Sequence, residues 1–185
     1  MRVRFFLVAC AVLFLGCSRG AGSPVIDLDG RAVDPLAGAA AATVLVFVST
    51  RCPISNRYAP ELRRLHARFA PRGVEFRLVY PLAGESPSLI RDHVRDYAYP
   101  FPAARDPEHA LVARAGVTVT PEVAVFRTGE LIYRGRIDDR EVDFGVTRPA
   151  ATQHDLEDAL ENVLAGRRVE TKFTRTVGCA IPKAS

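Results

Sequence analysis

The spacing of apolar side chains changes period several times along this chain, and each change marks an element. Val25-Ile26-Asp27-Leu28-Asp29-Gly30 alternates apolar and polar positions and then turns at the glycine, as a short first strand with a hairpin-like turn does. The Ala-rich stretch 36–42 reads as a loop or weak turn. Residues 43–48 are continuously apolar and rich in β-branched side chains, the pattern of a strand buried on both faces. Tyr58, Leu62, Leu65 and Phe69 then recur at helical spacing within 54–69. Pro60 lies inside that helix, where it removes a backbone hydrogen bond and should kink it. Pro71-Arg72-Gly73 stops the helix, and Val74, Phe76 and Leu78 alternate with polar residues as a second strand.

The second half continues the alternation. A helix is expected over 88–97, capped by Ser86 or Ser88. Asp106-Pro107 opens another that runs through Ala115 and ends at Gly116. Val123-Ala124-Val125-Phe126, the turn Thr128-Gly129-Glu130 and the strand over 131–137 form a β-hairpin. A last helix is expected over 152–164, with Thr152 as its cap, Gly166 as its stop, and Leu156, Leu160, Val163 and Leu164 on its buried face. The tail, 171–185, has no clear periodicity. The order predicts an α/β fold: a central mixed sheet with helices on both faces and a closing hairpin plus helix.

The N-terminus stands apart. Arg2 and Arg4 precede an apolar run over 5–15 that is too short to span a bilayer as a stable helix. It ends in Phe14-Leu15-Gly16-Cys17, which resembles the lipobox of bacterial lipoproteins. On that reading 1–16 is a signal peptide, Cys17 becomes the lipidated first residue, and 17–23 links it to a domain over 24–170 with a tail over 171–185. An ordinary signal peptide or an N-terminal anchor with Cys17 unmodified is the alternative. All of these export the domain to a compartment where disulfides persist, with the membrane reached through the N-terminal lipid on the first reading.

Composition adds little to this. The remaining ~160 residues suffice for one domain with a real core. The net charge of +4 comes from 25 basic and 21 acidic residues, intermixed along the chain, so no nucleic-acid surface is expected. The histidines His66, His93, His109 and His154 lack metal-ligand spacing and read as surface residues. Asp138, Asp139, Glu141 and Asp143 match no calcium loop and read as a solvated turn. No cofactor or metal is expected.

Removal of Cys10 with the signal and lipidation of Cys17 leave Cys52 and Cys179 as free thiols. Cys52 follows the buried strand and opens the stretch Cys52-Pro53-Ile54-Ser55-Asn56. A thiolate at a helix start faces unpaired amides, which lowers its pKa and suits it to thiol redox chemistry. The Ile54 and Ser55 amides, the Ser55 hydroxyl and nearby Arg51 are candidate stabilisers, although Ser55 has a plain role in the first turn and Arg51 one in solvent. An inert buried cysteine is the competing reading of Cys52.

From residues 25 to 182 the chain resembles the thioredoxin superfamily, and within it the peroxiredoxin-like redoxins of AhpC/TSA type. The resemblance rests on a strand running into Cys-Pro-x-Ser, a kinking proline, Val119-Thr120-Pro121-Glu122 before a strand and hairpin, the run Tyr133-Arg134-Gly135-Arg136-Ile137-Asp138-Asp139, and a terminal Val177-Gly178-Cys179-Ala180-Ile181. It implies a cis Thr120–Pro121 bond opposite the active thiol; a trans proline at the start of a strand is the alternative. It also implies a site made of Cys52, Ser55, Thr120, Pro121 and Cys179. Two departures stand out. Ser55 occupies the second position of the Cys-x-x-Cys of thioredoxins. Leu45 occupies a position that is proline in typical peroxiredoxins, whereas Ser49 fits their pattern.

The expected function is that of an exported thiol–disulfide oxidoreductase, with Cys52 as nucleophile, Cys179 as second thiol and a thiol or disulfide protein as partner. A peroxide-reducing enzyme on the same thiols is the first alternative. A non-enzymatic binding module or metal chaperone is the second. Cys179 resolves an oxidised Cys52, forms a permanent structural disulfide with it, or pairs with another molecule.

Overall fold

The computed structural model describes residues 25–183; the signal and lipidation expectations for 1–23 lie outside the described residues. Six strands form the central sheet: β1 (Ile26–Asp27), β2 (Ala42–Phe47), β3 (Val74–Tyr80), β4 (Ala103–Arg105), β6 (Glu122–Arg127) and β7 (Glu130–Gly135), in the order β1-β4-β3-β2-β6-β7. β2, β3 and β4 run parallel, while β1, β6 and β7 pair antiparallel with their neighbours. The sheet is mixed, as expected.

β2 is buried throughout because it is covered on both sides. Val44 and Val46 face one core, packed by α2 (Ala59–Phe69), α3 (Pro87–Asp96) and α5 (Asp155–Leu164) through Leu62, Leu65, Phe69, Ile90, Leu156 and Leu160. Leu45 and Phe47 face a second, smaller core under α4 (Ala110–Ala115), with Leu111, Val117 and Phe126. Helices on both faces explain why the β2 pattern is apolar without alternation. No helix among the described residues is long and apolar enough to cross a membrane.

The proline acts more strongly than a kink. The expected helix divides at Tyr58 into α1 (Pro53–Arg57) and α2, with Pro60 in the first turn of the latter, where a missing amide hydrogen costs nothing. A 3-10 turn and Gly73, at φ +85°, end α2. Ser86 caps α3, accepting from the Leu89 amide at 3.2 Å.

Three expectations need correction. The helix expected from Asp106 is only Ala110–Ala115. The Asp106 carboxylate takes the amides of Ala110, Leu111 and Val112, and the residues before it form β4, which proline-rich flanks obscured in the sequence. Thr152 does not cap the last helix, which starts at Asp155; its amide and hydroxyl instead bond Asp139. The acids after the hairpin are not a solvated turn. Asp138, Asp139 and Glu141 are buried, and only Asp143 is exposed. Asp138 accepts from the Tyr58 hydroxyl at 2.6 Å, and Glu141 pairs with Arg57 at 2.9 Å. These acids tie the segment after β7, including the small hairpin of β8 (Glu141–Asp143) and β9 (Val146–Thr147), to the helix that follows Cys52.

The tail has more order than its sequence implies. Thr174 accepts from the Arg136 amide at 3.0 Å and shares a hydrogen bond with the Tyr133 hydroxyl at 2.7 Å, while its backbone lies against Gly135. Beyond it, β10 (Cys179–Ala180) pairs antiparallel with β5 (Val119–Thr120).

Candidate active site

Sheet register assembles the site. β2 and β6 pair with Phe47 opposite Glu122. The chain leaving β2 reaches Cys52 five residues later, and the chain entering β6 passes through Thr120 and Pro121 just before Glu122. Both segments meet at the same end of the sheet. The Thr120–Pro121 bond is cis, as the family resemblance implied. Thr120 directs its carbonyl at Cys52, whose thiol donates to it at 3.0 Å. Cys179, opposite Thr120 in the β10–β5 pair, brings its sulfur to 2.6 Å from that of Cys52. Cys52, Thr120, Pro121 and Cys179 therefore converge, and Ser55 joins them from the first turn of α1.

Cys52 is buried, at 1% exposure, while Cys179 is half-buried. Burial pushes the Cys52 thiol up. The hydrogen bond from Cys179, the hydroxyl and amide of Ser55 and the Cys179 backbone outweigh that penalty, and the net shift is downward. Cys179 moves the opposite way, raised by its own burial and by its bond to the Cys52 sulfur. Of the two thiols, Cys52 is therefore the one that gives up its proton first. The Ser55 hydroxyl is completely buried and makes no hydrogen bond in this arrangement, which leaves it free to donate to a Cys52 thiolate. α1 has five residues, so its dipole is small and local donors carry the effect. Arg51 is exposed and forms no ion pair among the described residues. Arg57 is held by Glu141, which chiefly raises its pKa, and the Cys52 charge adds a smaller share.

Two buried groups that the sequence reading missed support the turn. Glu85 Oε1 accepts from the Ser49 hydroxyl at 3.0 Å and from the amide and hydroxyl of Thr50. Ser49 in turn takes the Cys52 amide on its carbonyl at 3.2 Å. Glu122 accepts the amides of Thr118 and Val119, bracing β5, and burial raises its pKa. An acid directly after Pro121 and before an apolar strand was the available signal for Glu122. Glu85 sits in a loop and gave none.

His93 is buried, contrary to its expected place on the surface. Asn56 Nδ2 donates to the Thr50 carbonyl, so its Oδ1 accepts from His93 Nε2 at 2.8 Å, and His93 Nδ1 accepts from the Tyr80 hydroxyl at 2.8 Å. The fold also brings His154 beside Glu61 and Glu157, a grouping the sequence spacing did not suggest. Arg64 pairs with both carboxylates and Arg68 with Glu157, and these ion pairs account for the cluster.

A parallel-centred mixed sheet, a cis-proline and a thiol pair at the strand ends define the class as a thioredoxin-like α/β protein. Within that class, residues 26–138 match the AhpC/TSA family, and the chain belongs to it. Solved structures agree. An uncharacterised conserved protein of Geobacillus kaustophilus is 28% identical, with 86% of this chain and 89% of that one covered and a TM-score of 0.70. A hypothetical protein of Sinorhizobium meliloti is 23% identical over 87% and 90% of the two chains, with a TM-score of 0.69. A secreted Mycobacterium tuberculosis disulfide oxidoreductase homologous to E. coli DsbE shares the fold at 22% identity, with 77% and 93% covered and a TM-score of 0.53. No curated protein matches the chain.

Proposed function

We propose that this protein is an exported, membrane-anchored thiol–disulfide oxidoreductase in which Cys52 is the nucleophile and Cys179 the resolving thiol. The observation that carries the reading is the 2.6 Å approach of the two sulfurs, one made more acidic and the other less. Attack requires a thiolate, and resolution requires a second thiol within bonding reach.

The reaction runs in two exchanges. The Cys52 thiolate attacks one sulfur of a partner's disulfide; that S–S bond breaks, a mixed disulfide forms, and the partner's other sulfur departs with the electron pair and takes up a proton. Cys179 then gives up its proton and attacks Cys52 Sγ. The mixed disulfide breaks, the partner leaves as a dithiol, and the protein keeps a Cys52–Cys179 disulfide. Two electrons have passed to the partner, and a reducing partner reverses the sequence. Ser55 supplies a donor to the thiolate, while Thr120 and Pro121 shape the wall opposite it. Export through residues 1–16 and a lipid on Cys17 would place this chemistry in the cell envelope, where disulfides persist.

Mixing the reduced protein with oxidised glutathione tests the chemistry. The expected product is an intramolecular Cys52–Cys179 disulfide that small dithiols reduce again. Cys52→Ala should abolish the exchange, and Cys179→Ser should halt it at glutathione bound to Cys52. A Cys52 that forms no mixed disulfide, or a Cys179→Ser variant that cycles unimpaired, rejects the reading. Hydrogen peroxide consumption far faster than by free cysteine would move the function to peroxide reduction. The mass of the mature N-terminus, with or without lipid on Cys17, tests the anchor.

A further inference from the structure

The thiol that the chemistry requires to be accessible is covered by the chain's own tail. Cys52 is almost fully buried, and one of its walls is β10, held along β5 by strand pairing and by the Ile181 amide on the Thr118 carbonyl at 2.9 Å. The fit along that edge is specific. A Cβ on Gly178 would lie 2.9 Å from the Thr120 carbonyl carbon, closer still to its oxygen, and 3.2 Å from Val119 Cβ. Backbone cannot yield as a flexible side chain does, so only glycine fits directly before the cysteine. Val177 and Cys179 pack against the larger core and Ile181 against the smaller one, so apolar side chains hold the segment at three positions. Upstream, the Thr174 clamp is a separate attachment, five residues before Cys179. The intervening chain spans up to about 17 Å when extended, ample for Cys179 to leave the site without loss of the clamp.

Resting on the assignment of Cys52 as the reactive thiol, we propose that residues 177–181 are a tethered occupant of a peptide-docking edge. The partner is an extended segment with glycine directly before its cysteine and an aliphatic residue two positions after it. That cysteine is one half of the disulfide to be reduced. It enters by replacing the tail along β5, with its cysteine in the register of Cys179. The returning tail then competes for the same edge, so resolution by Cys179 and expulsion of the product are one movement. A site open only a fraction of the time reacts more slowly by that fraction.

The test compares alkylation of Cys52 by iodoacetamide in the full chain carrying Cys179→Ser with the same chain also carrying Gly178→Val or Ile181→Asp. Rates are read at the alkaline plateau, where every Cys52 is ionised and a changed pKa does not contribute. Both added substitutions should raise the plateau rate about tenfold or more, with an unchanged circular dichroism spectrum. The peptide Val-Gly-Ser-Ala-Ile-Pro should then slow the reaction again, and Val-Val-Ser-Ala-Ile-Pro should not. Equal plateau rates in all three chains overturn the covering role. Equal protection by the two peptides overturns the demand for glycine. Either result leaves the redox assignment standing if Cys52 still exchanges with oxidised glutathione; absence of that exchange from every chain rejects the redox assignment instead.

Discussion

Glu85 accepts both the amide and the hydroxyl of Thr50 on one carboxylate oxygen, at 2.6 and 2.8 Å. Thr50 stands two residues before Cys52, and the same oxygen also takes the Ser49 hydroxyl. The turn that presents the thiol thus hangs from a buried acid contributed by a loop 35 residues away. Glu85→Ala leaves these donors without an acceptor in a closed environment, at a cost of about 1–3 kcal/mol for each buried group left unpaired. Chemical denaturation should show a loss of about 2–4 kcal/mol, since water can satisfy part of the gap. Glu85→Gln keeps an acceptor oxygen and should lose distinctly less. Equal losses in the two variants would remove the hydrogen bonds as the cause.

Ser55 separates acidity from stability. Its hydroxyl is buried without a partner, and it is one of the groups that lower the Cys52 pKa. Ser55→Ala removes a polar atom that makes no bond in the thiol form, so thermal stability should hold or rise slightly. The midpoint of Cys52 alkylation against pH should move upward, because the thiolate loses a donor. A midpoint that stays in place would leave Ser55 with only its first-turn role.

Much of this fold is legible from apolar spacing. β2, β3 and the β6–β7 hairpin follow from period, and the helical spacing after Cys52 gives the buried face of α2, although Pro60 suggested a kink where the helix divides in two. The acids of residues 138–141 misled because charge usually marks solvent. Here each carboxylate is paid for by named donors such as the Tyr58 hydroxyl, the Thr152 amide and Arg57, which come from distant parts of the chain. β4 and β10 are too short to show a period. Their partners are strands that tertiary packing brings alongside. Cys52, Ser55, Thr120, Pro121 and Cys179 could be named from motif order, but the fit of Gly178 against the Thr120 carbonyl is visible only in three dimensions.

Gly135 anchors the tail from the other side. Its φ of +150° lies where side chains are disfavoured, and an added Cβ would meet the Thr174 carbonyl oxygen at 2.7 Å and amide nitrogen at 2.9 Å. Gly135→Ala should therefore detach Thr174 from β7, with a loss of about 1–3 kcal/mol typical of overpacking. Limited proteolysis should then cut within 165–183 earlier than in the parent protein. Unchanged cleavage would mean that the pairing of β10 with β5 alone retains the tail.

His93 gives the fold a dependence on acid whose sign follows from its surroundings. Burial holds its pKa below the usual 6.5, with Asp96 opposing weakly. Its neighbours are Tyr80, Tyr97 and Tyr99 around the ring and Asn56 on Nε2. A proton on Nδ1 would face the Tyr80 hydroxyl hydrogen and force that bond to reverse. The unfolded chain takes up this proton at a higher pH than the folded one does. Stability contributed by neutral His93 is therefore complete above about pH 6.5 and declines as pH falls through that value toward the folded pKa. His66 is shifted in the same direction by burial and adds to the slope. Urea unfolding between pH 8 and 5 should show a smaller decline in His93→Gln than in the parent, with the His66 share remaining. Identical pH slopes in parent and variant would show that His93 takes up its proton alike in the folded and unfolded chains.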